Sequence, residues 1–303
     1  MTIGLKRKAK ADIFKRRDLT AALTMLLPFL LFFALFVLYP LFINIWYSFT
    51  NYNLNTAEWT GLRNFVRLSQ DETFKKACLN TFIYAFVSVI CLTFTGLVLA
   101  SLLSGAKKGI KWLRMLFLFP YATSMTAISM IWLMMLDPNH GFINKALRLI
   151  SLPVAEWLFD TKLALGCLIF INVWKNLGYC MLIYLSGINS IPDELYEAAT
   201  VDGAGSTVKF FKITVPLLRP VIFFVLMTTM IEGFKTFEQV QIMTRGDPVN
   251  ATTTIVHQIY IYGFSELRMG YASSMSVALL IIVMLLTLIN YRFNRRGEIE
   301  VHG

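Results

Sequence analysis

Between positions 19 and 49 the chain carries no charged side chain, and five more long apolar stretches follow. Segments 77–106, 115–136 and 269–291 are likewise uncharged. Segment 163–191 carries only Lys175, and segment 217–243 carries Arg219 at its start and Glu232, Lys235 and Glu238 towards its end. A hydrocarbon core of about 30 Å takes roughly 20 helical residues at about 1.5 Å each, so every stretch is long enough to cross one. Lipid offers no partner for a backbone N–H or C=O, and a continuous apolar run satisfies these groups within itself only as a helix. With 56% hydrophobic and 15% charged residues, a soluble domain is excluded. The sequence therefore predicts an all-α, polytopic membrane protein with six transmembrane helices. It reads as one membrane domain over 19–293, between a basic N-terminal segment 1–18 and a tail 294–303, with no internal repeat.

Orientation follows from the basic residues of the connecting loops. With the N-terminus inside, segments 1–18, 104–114, 192–219 and 292–303 hold 17 basic and 8 acidic residues, against 10 of each in segments 50–76, 137–162 and 232–268. Both termini are thus expected in the cytoplasm. The net charge of +10 is a topology signal and requires no nucleic acid. The cluster Lys6, Arg7, Lys8, Lys10, Lys15, Arg16 and Arg17 suits anionic lipid headgroups. The apolar run behind it is far longer than a signal-peptide core and lacks a small-residue cleavage site, so the first span is expected to be retained.

Cys78, Cys91, Cys167 and Cys180 stand singly in or beside spans, and His140, His257 and His302 are scattered, so no metal set can be drawn. The chain has no Gly-x-x-x-x-Gly-Lys-Ser/Thr loop and is not expected to hydrolyse ATP by that route.

The most informative polar segment lies between the fourth and fifth apolar stretches. Pro192 ends one helix, and Asp193 can accept from the free amides of the next. Leu195, Ala198 and Ala199 share a face, while Glu197 points elsewhere. Gly203 or Gly205 allows a reversal, and Phe210, Phe211 and Ile213 can anchor a second short helix on the spans. Glu197-Ala198-Ala199, then Asp202-Gly203, Ile213 and Pro216 resemble the cytoplasmic signature loop of ABC import permeases, with Val215 where that family usually has Leu. The resemblance implies a helix-turn-helix over 192–216 that docks on an ATP-hydrolysing subunit. Glu197, Ala198, Ala199, Asp202, Gly203, Ile213 and Pro216 are its coupling residues.

Flanking strings resemble the carbohydrate branch of that family. They are Gly61-Leu62-Arg63-Asn64-Phe65 with the later Asn80-Thr81, and Thr244-Arg245-Gly246-Asp247-Pro248, where Asp247 replaces a usual glycine. The resemblance to maltose-type permeases places a substrate path along the fourth and fifth spans. Its residues are Asn172, Lys175, Asn176, Tyr179, Thr229, Glu232, Gly233 and Thr236, with Tyr121 from the third span. An ionisable group in mid-membrane, costing about 2.5–3.5 kcal/mol on insertion scales, marks a cavity or a partner. Glu232 could pair with Lys235 or reach Lys175. Between Phe142 and Asp160, the apolar residues Ile143, Leu147, Ile150 and Leu152 are spaced for a short surface helix.

The resemblance implies a permease of the bacterial cell membrane that imports a sugar or oligosaccharide. Its partners would be a second homologous permease, two ATPase subunits carrying ATP and magnesium, and an extracytoplasmic solute-binding protein; this chain would carry no cofactor. A glycerol-3-phosphate permease and an ion-coupled secondary transporter stay open as alternatives. The topology is testable directly. Single cysteines at positions 8, 108 and 298 should react with an impermeant maleimide only from the cytoplasm, and those at 60, 155 and 250 only from outside. Reaction of position 108 from outside breaks the six-span arrangement.

Overall fold

A computed structural model of the protein describes residue 21, residues 23–105 and residues 109–299. The basic N-terminal segment, Lys107, Lys108 and His302 lie outside these. The described residues are helical, and a single isolated bridge joins Thr50 to Trp59. Five helices are long and apolar enough to cross a membrane. They are α1 (Leu23–Ser48), α3 (Glu72–Leu102), α7 (Ala164–Ile188), the stretch Arg219–Met243, and Met269–Arg292, which forms most of α13 (Met269–Ile299). A short surface helix, α2 (Arg63–Gln70), precedes α3.

Two expected spans are not continuous. Segment 115–136 divides into α4 (Ile110–Ala122) and α5 (Met125–Met135), which meet at 97° and make a sixth crossing only as one broken span. Pro120 lies in the last turn of α4, where it has no N–H to donate and crowds the carbonyl four residues back. Thr123 and Ser124 then turn extended, with ψ of 146° and 139°. The fifth stretch divides into α10 (Arg219–Phe234) and α11 (Glu238–Met243), with residues 235–237 non-helical between them.

Proline leaves a second mark. The turns Ala34–Leu38 and Phe210–Thr214 are both π-helical, and each closes on the residue just before a proline, Tyr39 before Pro40 and Val215 before Pro216. Widening the turn by one residue relieves the clash between a proline ring and the preceding carbonyl.

The connections at 49–62 and 244–254 are pinned by the very side chains of the two flanking strings. Asn64 Nδ2 donates to the carbonyls of Ser48 and Thr50, at 2.9 and 2.8 Å. Asn80 Nδ2 donates to those of Asn250 and Thr253, both at 3.0 Å, and Thr81 Oγ1 accepts from Ile255 N. Arg245 and Gly246 take φ of 52° and 89°, while Asp247 does not enter the left-handed region, so aspartate costs nothing at the position where the family has glycine. The loop leads to α12 (Ile255–Tyr260). There His257 is buried between Thr253 and Gln241, and burial pushes its imidazole below the usual histidine range against the pull of Asp247. The segment after α5 turns at 137–141, as its composition predicts, into α6 (Phe142–Leu149).

The interior is closed by direct backbone approach. A Cβ on Gly178, in the middle of α7, would lie 2.1 Å from the carbonyl oxygen of Phe117 in α4. On the same helix Gly166 has open space. Gly178→Ala should therefore force α4 away from α7 and lower the thermal midpoint of the purified protein, at a cost of about 1–3 kcal/mol. Gly166→Ala should leave the midpoint unchanged or raise it slightly, through the better helix propensity of alanine. Equal effects of the two would refute the contact.

Candidate functional site

A cavity of about 770 Å³ opens where the two broken spans face α7. Asn172, Lys175, Asn176 and Tyr179 recur on α7 at helical spacing and form one stripe along its wall. Thr229, Glu232, Gly233 and Thr236 repeat the same spacing on α10 and its broken end, and Tyr121 lines the cavity from α4. All nine residues of the expected path thus border one space.

Their contacts differ. The 97° bend frees the carbonyl of Tyr121, which in a continuous helix would accept from residue 125. Lys175 Nζ donates to it at 3.2 Å and lies 5.2 Å from the centre of the Tyr121 ring. That ring stacks on Tyr179, with centroids 4.6 Å apart and planes 12° off parallel. Asn176 Nδ2 donates to the side-chain and backbone oxygens of Asn172, both at 2.9 Å. Glu232 pairs with Lys235, the residue just past the end of α10, at 2.9 Å, and among the described residues Lys175 forms no ion pair. Gly233 serves packing as well, since a Cβ there would lie 2.9 Å from Cα of Ala85 on α3. The hydroxyl of Thr229 is spent on the carbonyl of Val225.

The cavity also recruits residues that the sequence reading passed over, among them Tyr84, Thr228, Phe237, Glu238 and Gln239. Gln239 is 1% exposed and donates to the carbonyl of Leu168 at 2.8 Å. The break at 235–237 leaves the carbonyl of Thr236 free, and Thr254 Oγ1 donates to it at 3.1 Å. A polar pair, Glu238-Gln239, after an apolar run was a readable signal. Tyr84, deep in an uncharged run, gave none.

The second site is the loop between α7 and α10. It folds as α8 (Asp193–Val201), a turn, and α9 (residues 206–217), whose middle is the π turn at 210–214. Pro192, not Asp193, occupies the N-cap, and no side chain caps it; Asp193 and Glu194 instead place their charge in the first turn, where the helix dipole favours it. The reversal falls on Gly203, at φ 78°. Its N–H bonds the carbonyl of Thr200 at 3.0 Å, and Ala204 N bonds that of Ala199 at 2.8 Å. These two bonds form the left-handed helix ending that glycine favours. Tyr196 and Thr214 join the two helices hydroxyl to hydroxyl at 2.9 Å, and Lys209 Nζ donates to Thr200 Oγ1 at 2.7 Å.

Phe210 and Ile213 pack on the cluster formed by α3 and α7, and Pro216 is half-buried, but Phe211 is 63% exposed and anchors nothing. Leu218, just beyond, closes against Gly187 near the end of α7. Glu197, Ala198, Asp202 and Gly203 are exposed, and Ala199 is half-buried. From 193 to 208 the loop carries Asp193, Glu194, Glu197 and Asp202 and no basic residue.

Comparison with known proteins shows the family. A permease described as a probable ABC transporter protein, YurN of Bacillus subtilis, is 36% identical over 276 residues, covering 89% of this chain and 94% of its own. UgpA of Yersinia pestis, an sn-glycerol-3-phosphate transport permease, is 33% identical over 90% of this chain and 93% of its own. Among solved structures, a chain of a bacterial ABC transporter involved in importing the acidic polysaccharide alginate superposes with a TM-score of 0.83 at 26% identity. That match covers 95% of this chain and 99% of that one. Residues 92–298, which hold the loop and all nine cavity residues, match one family of transport proteins, and this chain belongs to it: the inner membrane components of binding-protein-dependent transport systems.

Proposed function

We propose that this multi-pass permease subunit passes a sugar or oligosaccharide through the cavity between α7 and the broken α10–α11 span. The cargo would be delivered by an extracytoplasmic binding protein. Energy would come from two ATPase subunits docked under the loop at 192–216, and a second, homologous permease would complete the pathway. Both termini would lie in the cytoplasm, on the side of that loop.

The observation that carries the reading is the balance of the cavity wall. It presents two basic groups, Lys175 and Lys235, and two acidic ones, Glu232 and Glu238, among amides, hydroxyls and tyrosine rings. Hydroxyl-rich rings need donors and acceptors at fixed places and flat apolar surfaces for their C–H faces, and such a wall offers both. A phosphate dianion would meet as much negative as positive charge there. The likeness to a glycerol-3-phosphate permease favours the second reading, and Lys175, which forms no ion pair among the described residues, is where it would act. The alginate transporter shows that an acidic carbohydrate is carried by a chain of this fold. Binding of candidate sugars and of glycerol-3-phosphate to the cognate binding protein decides between them.

The loop supports the docking role through its shape. Its apolar inner side is tied to α3 and α7, and its outer side offers carboxylates and exposed Leu195, Val201 and Phe211 to a partner. Reversing the charge with Glu197→Lys opposes a basic partner surface at a cost of several kcal/mol, on the order of other like-charge contacts. Uptake and binding-protein-stimulated ATP hydrolysis should fall together while the chain still inserts; unchanged transport would remove the docking role.

The cavity is tested by Lys175→Met. This change removes the ammonium, keeps most of the length and breaks no ion pair. Assembly should persist while uptake falls, and Tyr179→Ala should alter which sugars pass without abolishing basal ATP hydrolysis. Loss of assembly with Lys175→Met would make its bond to the carbonyl of Tyr121 a structural clamp only.

A further inference from the structure

The segment joining α5 to α7 has an exposed face that neither the cavity nor the loop uses. Its inner side is firmly built. Asn144, 1% exposed, donates to the carbonyls of Pro138 and Ala155 and accepts from Trp157 Nε1 at 2.9 Å, and Leu158 is buried against α5 and α7. Its outer side carries Phe142, Leu149, Ile150, Leu152, Val154 and Phe159, all exposed, Leu149 at 86%. Six large apolar side chains on a shelf held by a buried asparagine are more than scattered surface residues, and such a patch marks a contact.

We propose that this shelf lies in the headgroup region of the outer leaflet and holds anionic phospholipid. Three observations select lipid as its occupant. From Phe142 to Val154 the exposed apolar residues are interleaved with Lys145 and Arg148 and with no acidic residue, so this part of the face is complementary to a layer of phosphate groups, while Glu156 stands beyond it, before Phe159. The segment starts within two residues of the end of α5 at Met135 and runs directly into α7 at Ala164, so both its ends sit at the mouths of spans. Met134 and Ile131 of α5, Leu163 just before α7 and Phe170 within it are exposed as well, on the flanks expected to meet acyl chains. Lysine and arginine stems reach along such a surface while their charges stay at the phosphates. The proposal rests on reading the segment as the flank of two spans; the labelling of position 155 tests its sidedness separately.

The test uses the transporter purified with its co-expressed partners, in nanodiscs of phosphatidylethanolamine and phosphatidylglycerol. Cys78, Cys91, Cys167 and Cys180 are replaced by alanine, and a nitroxide is attached at Leu149→Cys or, separately, at Ile150→Cys. The label should be relaxed more strongly by oxygen than by a water-soluble nickel chelate. That preference should be lost when Lys145→Glu and Arg148→Glu are combined, or when phosphatidylglycerol is replaced by phosphatidylcholine. Stronger relaxation by nickel would place the face in water and overturn the proposal. Shielding from both agents would overturn it too and assign the face to a protein partner, while an oxygen preference indifferent to both charge changes would overturn the anionic-lipid assignment. Should the cysteine variants fail to assemble, quenching of Leu149→Trp fluorescence by brominated phosphatidylglycerol gives the same decision in the native-cysteine protein.

Discussion

A helix interrupted along its length frees carbonyls from their helical partners, and the architecture of this protein turns on how two such interruptions are repaired. At the bend after Tyr121 the repair comes from Lys175 on another helix. At the break after Phe234 it comes from Thr254, the residue just before α12. Each repair binds an element that would otherwise be independent, and the space left between the broken ends is the cavity. The mid-membrane charges are thereby accounted for in physical terms. Lys175 is neutralised in part by a carbonyl dipole and an aromatic face, and Glu232 by the lysine one turn away. None requires a buried, unpaired charge, which is the arrangement that hydrocarbon does not tolerate.

The loop at 192–216 follows a different rule, because one side of it is exposed. Its stability is borrowed from the spans. Helices of nine and twelve residues are too short to persist alone, and here two hydroxyl-mediated ties and the packing of Phe210, Ile213 and Leu218 hold them. The outward side is left unburdened by structure, so its carboxylates are free for a partner. Gly203 has open space around it. It is therefore needed for its left-handed backbone and not for close packing.

Much of this was legible in the sequence for identifiable reasons. Uncharged runs reveal spans because charge is expelled from lipid, and the loop revealed itself because glutamate, two alanines and a glycine recur at helical and turn positions. The stripes on α7 and α10 were found through a likeness to maltose-type permeases; periodicity alone would have shown them only as polar positions in apolar helices. The bend at Thr123–Ser124 was missed because Pro120 within a membrane helix usually means a mild kink, and nothing local announces that two extended residues follow. Phe211 looked like an anchor because it neighbours Phe210, yet adjacent helical residues point about 100° apart and only one of them faced the spans. Asn64 and Asn80 were read as family marks. Their chemistry, donating to carbonyls of distant loops, depends on tertiary contacts that spacing does not encode.

The meeting of Gly178 with the backbone of Phe117 has a mechanical meaning. No side chain cushions it, so it can roll but not compress, and it divides α7 into two arms. One arm runs nine residues towards Gly187, where the loop grips through Leu218, and the other runs three residues to Lys175. At about 1.5 Å per residue these are roughly 13 Å and 5 Å long. A rocking motion entering at Gly187 would therefore arrive at Lys175 reversed in direction and reduced about threefold, while Tyr179, on the near side of the contact, would move with Gly187. The helix would act as a reducing lever, trading a broad stroke at Gly187 for a short, forceful one at Lys175.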